Sequence, residues 1–404
     1  MSGSPAKLPA LHGVRVLDLT QMLAGPLAAC RLGDLGGDVI KVENPESGEF
    51  NRTHGLRGAE INGEMTTYLS VNRNKRSIAL DLKTSSGQAV FAELVKTADV
   101  VIQNFRPQTS KKLGLTWSRL YDINPRVILC SISGFGPEGP YSERPGQDLL
   151  VQGFSGSMFS VGSDSDPPIP GALLSGDVMT AYQAVIAIMA ALVAREKTNI
   201  GQVVEVNMFN TVLDAQLQEL FTIANTGVRF ERTAERTANS ILPAPYGVYQ
   251  AADGWICLAM SPLPLLGELL DNDWLRTLTE YEDGHTQKDD VYSLIRGAFV
   301  KKSVDYWIKE ADKLGIWIGP VLDYDAVLAD KHVRETSLFV EQPIAGGGFV
   351  RTVRPPITMS GSTVGVFRSA PRLGEDTEEI LEEIGLKGKL KTLLDDAVVR
   401  VMGR

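Results

Sequence analysis

A chain of 404 residues exceeds what one hydrophobic core ordinarily serves, so two domains are expected, and its 43 % hydrophobic and 22 % charged residues exclude a disordered or fibrous protein. The formal net charge of −9 argues against non-specific binding to nucleic acid or to an anionic membrane, so an anionic ligand has to find a local basic patch. Three scattered cysteines (Cys30, Cys130, Cys257) form neither an even framework nor a C-x-x-C pair, which suits a reducing, cytoplasmic setting without disulfides, and four isolated histidines (His12, His54, His285, His332) offer no zinc set.

The opening MSGSPAKLPALHG lacks a long apolar stretch and reads as a short tail rather than a signal peptide. Residues 14–19 (VRVLDL) read as a strand, and the turn QMLAG leads to Pro26, a favourable first helical residue. The helix that follows carries Ala28, Leu32 and Leu35 on one face and stops at Gly36-Gly37. Residues 39–42 make a second strand. The cycle returns with a helix over 88–96, the strand VVIQNF over 100–105, a short helix near 117–122 and the strand VILCSI.

From Val178 to Ala194 no charge occurs over 17 residues, which touches the lower limit for a membrane span. The segment is rich in alanine, carries Thr180, Tyr182 and Gln183, and is closed by Asp177 and Arg195, so complete burial in a large domain explains it better and no membrane is expected. QVVEVNM then alternates like a strand, and residues 209–225 form a helix that Gly227 can cap. This alternation predicts a mainly parallel sheet covered on both faces. After Gly227 the polar segment VRFERTAERTANS reads as a linker, and a smaller unit spans about 243–324, opening with a hairpin in YGVYQAADGWICLAM. The tail passes through the loop IAGGGF and a Pro-rich stretch to a final amphipathic helix, EEILEEIGL.

Gly134, Gly136 and Gly139 satisfy the dinucleotide fingerprint G-x-G-x-x-G, but Pro137, Pro140 and Pro145 punctuate the segment that should open a helix, so nicotinamide or flavin binding is not expected. Neither a phosphate-binding G-x-x-x-x-G-K-[ST] loop nor a G-x-S-x-G elbow occurs. The basic cluster Arg73, Lys75, Arg76 and Lys83 reads either as a solvated surface loop or as a phosphate-binding edge beside the C-terminal ends of parallel strands. Asp177 stands directly before the long apolar helix, as its N-cap or as a catalytic carboxylate, and the two readings are compatible because a helix N-terminus favours an ionised carboxylate. Gly171 and Gly176 leave room beside it for a bulky substrate.

Taken together, GVRVLDLTQMLAGP, LGDLGGDVIKVE, NRNKRSIALDLK, ADVVIQNFRP, INPRVILCSISGFGPEGP, QDLLVQGFSG, GALLSGD and REKTNIGQVVEVNM, with the tail PRLGEDTEEILEEIGL, resemble the family III coenzyme A transferases. That group includes formyl-CoA transferase, carnitine CoA-transferase and the α-methylacyl-CoA racemases. The resemblance implies a Rossmann-like large domain with a mainly parallel sheet plus a small α+β domain. The expected boundaries are 1–227 for the first part of the large domain, 228–338 for linker and small domain, and 339–404 for a segment returning to the large domain. It implies a homodimer with interlocked chains.

The resemblance also makes Asp177 the nucleophile, which attacks a donor acyl-CoA to give a mixed anhydride and then an aspartyl-CoA thioester. The family pattern for CoA and substrate falls on Met22, Leu23, Ala24, Asn44, on Leu80 to Lys83, and on Asn104, Phe105, Arg106, Lys112, Gln147 and Asp148. Glycines of QGFSG are candidates for oxyanion stabilisation. Coenzyme A enters as a thioester substrate, with no tightly bound cofactor and no metal. Leu23 and Asn44 depart from the glutamine and arginine of formyl-CoA transferase, and its glycine-rich flap is missing before YGVYQ, so formate and oxalate are disfavoured. Succinyl-CoA as donor and a small dicarboxylate or hydroxy acid as acceptor are the expectation. Racemases of this group need a histidine where this chain has Gln147, whose amide cannot take up a proton, so transfer is expected over racemisation. A non-catalytic CoA-binding subunit would have no need of Asp177.

Overall fold

In the computed structural model, described over residues 7–279, 281–344 and 346–403, the chain divides into two compact units. The first six residues of the expected tail and Ala345 of the IAGGGF loop lie outside the described residues. The first unit runs to Val151 and takes in Leu174–Val212 and everything from Ser337. The second comprises Gln152–Leu173 and Leu213–Thr336, so part of the stretch assigned by sequence to the first domain packs elsewhere.

The first unit is built on a seven-stranded sheet. Six strands are parallel: β1 (Arg15–Asp18), β2 (Asp38–Glu43), β3 (Lys75–Leu80), β4 (Val100–Gln103), β5 (Ile128–Ser133) and β6 (Val203–Asn207). The short β7 (Val399–Arg400) pairs antiparallel with β3. The order β7-β3-β2-β1-β4-β5-β6 reverses direction between β1 and β4, the place where doubly wound sheets open a crevice at the carboxyl ends of their strands. Five helices matter for the site: α1 (Ala24–Asp34), α2 (Ser85–Thr97), α3 (Pro107–Lys112), α4 (Asp148–Ser155) and α5 (Ser175–Thr198).

Strand alternation divides the core into two layers. Leu17, Ile40, Ile78 and Val101 pack with Phe91, Leu94 and Val95 of α2 and with Ile380 and Leu381 of the helix Thr377–Glu383. Val16, Val39, Val100 and Ile102 pack with Ala28 and Leu32 of α1 and with Ala181, Ala184 and Ile188 of α5. Each such fully buried aliphatic side chain contributes about 1.5–3 kcal/mol of hydrophobic stabilisation.

Helix α5 is not wholly buried, contrary to the sequence expectation. Among the described residues it is the one helix long and apolar enough to cross a membrane. One stripe, including Thr180, Ala181, Ala184 and Ile188, is buried, whereas Tyr182, Ile186 and Val193 are 37 %, 61 % and 59 % exposed. Arg195 near its C-terminus is buried and pairs with Asp99 at 2.8 Å.

The basic cluster is also placed differently from either sequence reading. NRNKRSIALDLK contains β3, an interior strand of the sheet, and three of its four cations hold the fold together. Lys75 is fully buried and donates to Asp18 at 2.8 Å. Burial alone would raise the Asp18 carboxyl, but Lys41 and Lys75 beside it hold it down at about 2. Arg73 grips both oxygens of Asp34, and Arg76 pairs with Asp38 and Glu383. Only Lys83 is left beside the strand ends.

The G-x-G-x-x-G segment forms a loop, and the next helix begins only at Asp148. A Cβ on Gly134 would lie 2.3 Å from the Cα of Gly146, so this glycine serves a close crossing of two backbones rather than a pyrophosphate.

The second unit carries an antiparallel three-stranded sheet, in which Trp255–Leu258 pairs with Gly247–Gln250 as the expected hairpin and with Ile318–Pro320. Tyr249, Ile256, Tyr292, Phe299 and Trp307 are buried in its core. The helix expected over 209–225 is broken into Met208–Asp214 and Leu217–Thr226, the second ending on Gly227 at φ +73°. VRFERTAERTANS is tied down rather than free: Thr237 exchanges backbone hydrogen bonds with Gly162, and Arg236 pairs with Asp166 at 2.6 Å.

Candidate functional site

Asp177 is the third residue of α5, not its N-cap, which is Leu174. Its carboxylate instead accepts the backbone N–H of Ala24. Ala24 opens α1, whose own N-cap, Leu23, gives no side-chain hydrogen bond, so Asp177 satisfies one of the orphan amides of a neighbouring helix. The backbone N–H of Asp177 donates to Oδ1 of Asp148 at 3.1 Å. Burial, and then the Asp148 charge, push the Asp177 carboxyl up to about 6 against the opposing pull of the Ala24 amide. The result is a half-buried, poorly solvated carboxylate that is ionised at neutral pH and more basic than an ordinary aspartate. That is the character expected of a carboxylate nucleophile.

The small size of Gly176 has a packing cause. A Cβ there would lie 3.0 Å from Asp148 Oδ1 and 3.0 Å from a methyl of Val151, so the glycine admits α4 against α5 rather than opening space for substrate. Asp148 is buried and supports the first turn of α5, and its side chain is engaged there rather than presented to a ligand. Gln147 beside it is exposed. Gly171 and the QGFSG segment beyond Val151 belong to the second unit, where the N–H of Gly171 donates to Oε1 of Gln152 at 2.8 Å.

The loop that joins β1 to α1 leads from Asp177 to a cleft of about 290 Å3 at the carboxyl ends of four neighbouring parallel strands. Its walls are Leu19 to Gln21 after β1, Val42 to Asn44 at the end of β2, Leu80 to Lys83 at the end of β3, and Phe105, Thr109 and Leu113 after β4. Of the sequence candidates, Asn44, Leu80, Lys83 and Phe105 therefore converge on one cleft. Arg106, at the N-cap of α3, and Lys112, in its last turn, are exposed on the element that supplies Thr109.

Other candidates shape the loop. Asn104 accepts the N–H of Gln21 at 2.9 Å and donates to its carbonyl at 2.8 Å, so both ends of its amide hold the loop rather than wait for a ligand. Asn44 likewise spends its oxygen on the N–H groups of Glu46 and Ser47. Met22 has φ +71°, a left-handed conformation that costs a side-chain-bearing residue about 1 kcal/mol or more. Its N–H donates to Glu49 at 3.3 Å and its carbonyl accepts from Asn51 at 2.6 Å.

Sequence reasoning gave no reason to single out Glu49. An acidic residue in the polar run NPESGEF reads as solvated surface, yet Glu49 is 3 % exposed and lines the cleft. No local signal could have found it, since Met22, Lys41 and Lys75, which the fold brings around its carboxyl, lie elsewhere in the chain. Among the described residues no group of three or more His, Cys, Asp or Glu is placed to hold a metal ion.

The family model described as CoA-transferase family III matches residues 11–377. The succinate–glutarate CoA-transferase of Agrobacterium fabrum is 34 % identical over 398 residues, covering 95 % of this chain and 98 % of the relative. The succinyl-CoA:glutarate CoA-transferase of Homo sapiens is 32 % identical over 93 % of this chain and 86 % of the relative. A CAIB/BAIF family protein from Brucella suis superposes with a TM-score of 0.82 at 31 % identity, covering 94 % of this chain and all of that one.

Proposed function

Because the chain belongs to CoA-transferase family III, we propose that it moves coenzyme A from succinyl-CoA to a second dicarboxylic acid of the glutarate kind, with Asp177 as the covalent carrier. The observation that carries the proposal is the Asp177 carboxylate itself, half-buried, raised to about 6 and held by the Ala24 amide at one end of the loop whose other end walls the cleft.

The chemistry is balanced without an external acid or base. The Asp177 carboxylate attacks the thioester carbonyl of the donor, and CoA thiolate leaves to give a mixed anhydride. The thiolate then attacks the aspartyl carbonyl and expels succinate, leaving an aspartyl-CoA thioester. The acceptor carboxylate repeats both steps in reverse, regenerating Asp177 and a new acyl-CoA. Only ionised carboxylates and a thiolate take part, so what Asp177 needs is ionisation with incomplete solvation, which its raised pKa reflects.

In this reading the cleft receives coenzyme A. Leu80 and Phe105 supply apolar walls and Lys83 a cation on the lining, and Arg106 and Lys112, exposed on α3, are the further partners proposed for phosphates. A homodimer belongs to the same reading. The exposed apolar stripe of α5 supports it, since a contiguous apolar patch on a helix of this length favours a covering partner. The free thiols of Cys30, Cys130 and Cys257 are in keeping with a cytoplasmic setting.

The test is an assay of the purified protein with succinyl-CoA and a panel of free acids. The reading expects equimolar succinate and new acyl-CoA with at least one dicarboxylate, and no accumulation of free CoA. Hydrolysis of the thioester without transfer, or inertness toward every dicarboxylate, contradicts it.

A further inference from the structure

We propose that Glu49 is a positioning residue, whose free carboxyl oxygen accepts an amide N–H of the pantetheine arm and so presents the thioester to Asp177. The proposal rests on the reading of the cleft as the coenzyme A site and adds a residue to it.

Three observations lead there. Among the described residues, Glu49 Oε1 is fully buried and has no hydrogen-bond partner, whereas Asp18 is paired with two lysines, Asp34 with Arg73, Glu43 with Arg52 and Asp376 with Arg368. A carboxyl oxygen withdrawn from water and left without a donor is costly, so it calls for an explanation that an incoming donor supplies. Second, Glu49 lines the cleft, so a small turn of its carboxyl brings Oε1 to a donor on whatever occupies it. Third, its other oxygen accepts the N–H of Met22, two residues from the Ala24 amide that holds Asp177. Two residues span at most about 7.6 Å between Cα atoms, so Glu49 stands near the nucleophile. The part of coenzyme A next to the reacting sulfur is the pantetheine arm, and its hydrogen-bond donors include two secondary amides. Burial, with the Glu43 and Asp18 charges, raises the Glu49 carboxyl against the opposing pull of Lys41 and Lys75.

The strained φ of Met22 fits the same arrangement. Glu49 and Asn51 hold the Met22 peptide on both sides, which fixes the loop that carries the Ala24 N–H toward Asp177.

The experiment compares Glu49→Gln and Glu49→Ala with the parent protein by calorimetric titration, using coenzyme A and adenosine 3′,5′-bisphosphate as probes. The second probe keeps an adenosine and phosphates but lacks the arm. Glutamine has the same shape but only one acceptor, so it must abandon either Met22 or the ligand. Both variants should lose about tenfold or more in affinity for coenzyme A and bind adenosine 3′,5′-bisphosphate as the parent does. Unchanged affinity for coenzyme A overturns the proposal, as does an equal loss for both probes, which would mean general damage to the cleft. Failure of the parent protein to bind either probe would instead remove the coenzyme A reading on which the proposal stands.

Discussion

Replacing Asp177 by asparagine should abolish transfer and at the same time stabilise the protein. In the unfolded chain this carboxyl ionises near 3.8, and in the folded protein near 6, because burial and Asp148 disfavour its charge. At about 1.4 kcal/mol for each pH unit the rise sets a ceiling of about 3 kcal/mol on the cost of keeping it ionised. Partial solvent screening and the favourable first turn of α5 reduce this, leaving about 1–2 kcal/mol. Asparagine removes the charge, can still accept the Ala24 N–H, and ends the repulsion with Asp148. The sign with pH follows from the direction of the rise. Below about 4 the carboxyl is protonated in both states and costs nothing, the cost grows between about 4 and 6, and it is complete above 6. Thermal melts from pH 4.5 to 8 should therefore show the variant gaining about 1–4 °C at pH 8 and progressively less toward pH 4.5. A variant less stable than the parent at pH 8, or a difference independent of pH, would refute the electrostatic account of this site.

Asp148→Asn removes the like charge facing Asp177, so the acid limb of the pH–rate profile, set by ionisation of Asp177, should move to lower pH; an unmoved limb contradicts the assignment. Lys83→Ala combined with Lys112→Ala should raise the KM for acyl-CoA severalfold or more with little change in kcat, because contacts remote from the reacting carbonyl contribute uniform binding. Proton exchange supplies a further check: with no acceptor acid present, a 2-methylacyl-CoA should acquire no deuterium at its α-carbon, since Gln147 cannot act as the second base. Rapid wash-in would restore racemisation as the activity.

The parallel sheet was legible because its strands are short apolar runs separated by helices of clear period, as in VRVLDL and VVIQNF. Strand β3 was not, because NRNKRSIALDLK disguises an interior strand behind cations whose partners, Asp18, Asp34 and Asp38, lie 38 to 57 residues earlier in the chain. The exposed face of α5 was equally hidden, since an alanine-rich helix that is apolar all round carries no mark of which side is covered. At the site, Lys83 stood out within a basic cluster, and the resemblance marked Asp177 and Phe105, whereas the roles of Asn104 and Asp148 as braces depend on backbone groups of Gln21 and Asp177 that only the fold brings to them. Glu49 was invisible for the same reason.

The central claim, that Asp177 carries coenzyme A covalently, is tested most directly by incubating the enzyme with succinyl-CoA alone, adding hydroxylamine or borohydride, and mapping the modified peptide by mass spectrometry. Modification confined to the GALLSGD peptide at Asp177, and absent from Asp177→Asn, is the predicted result. An enzyme that turns over yet is modified only at a cysteine, or nowhere, would contradict it.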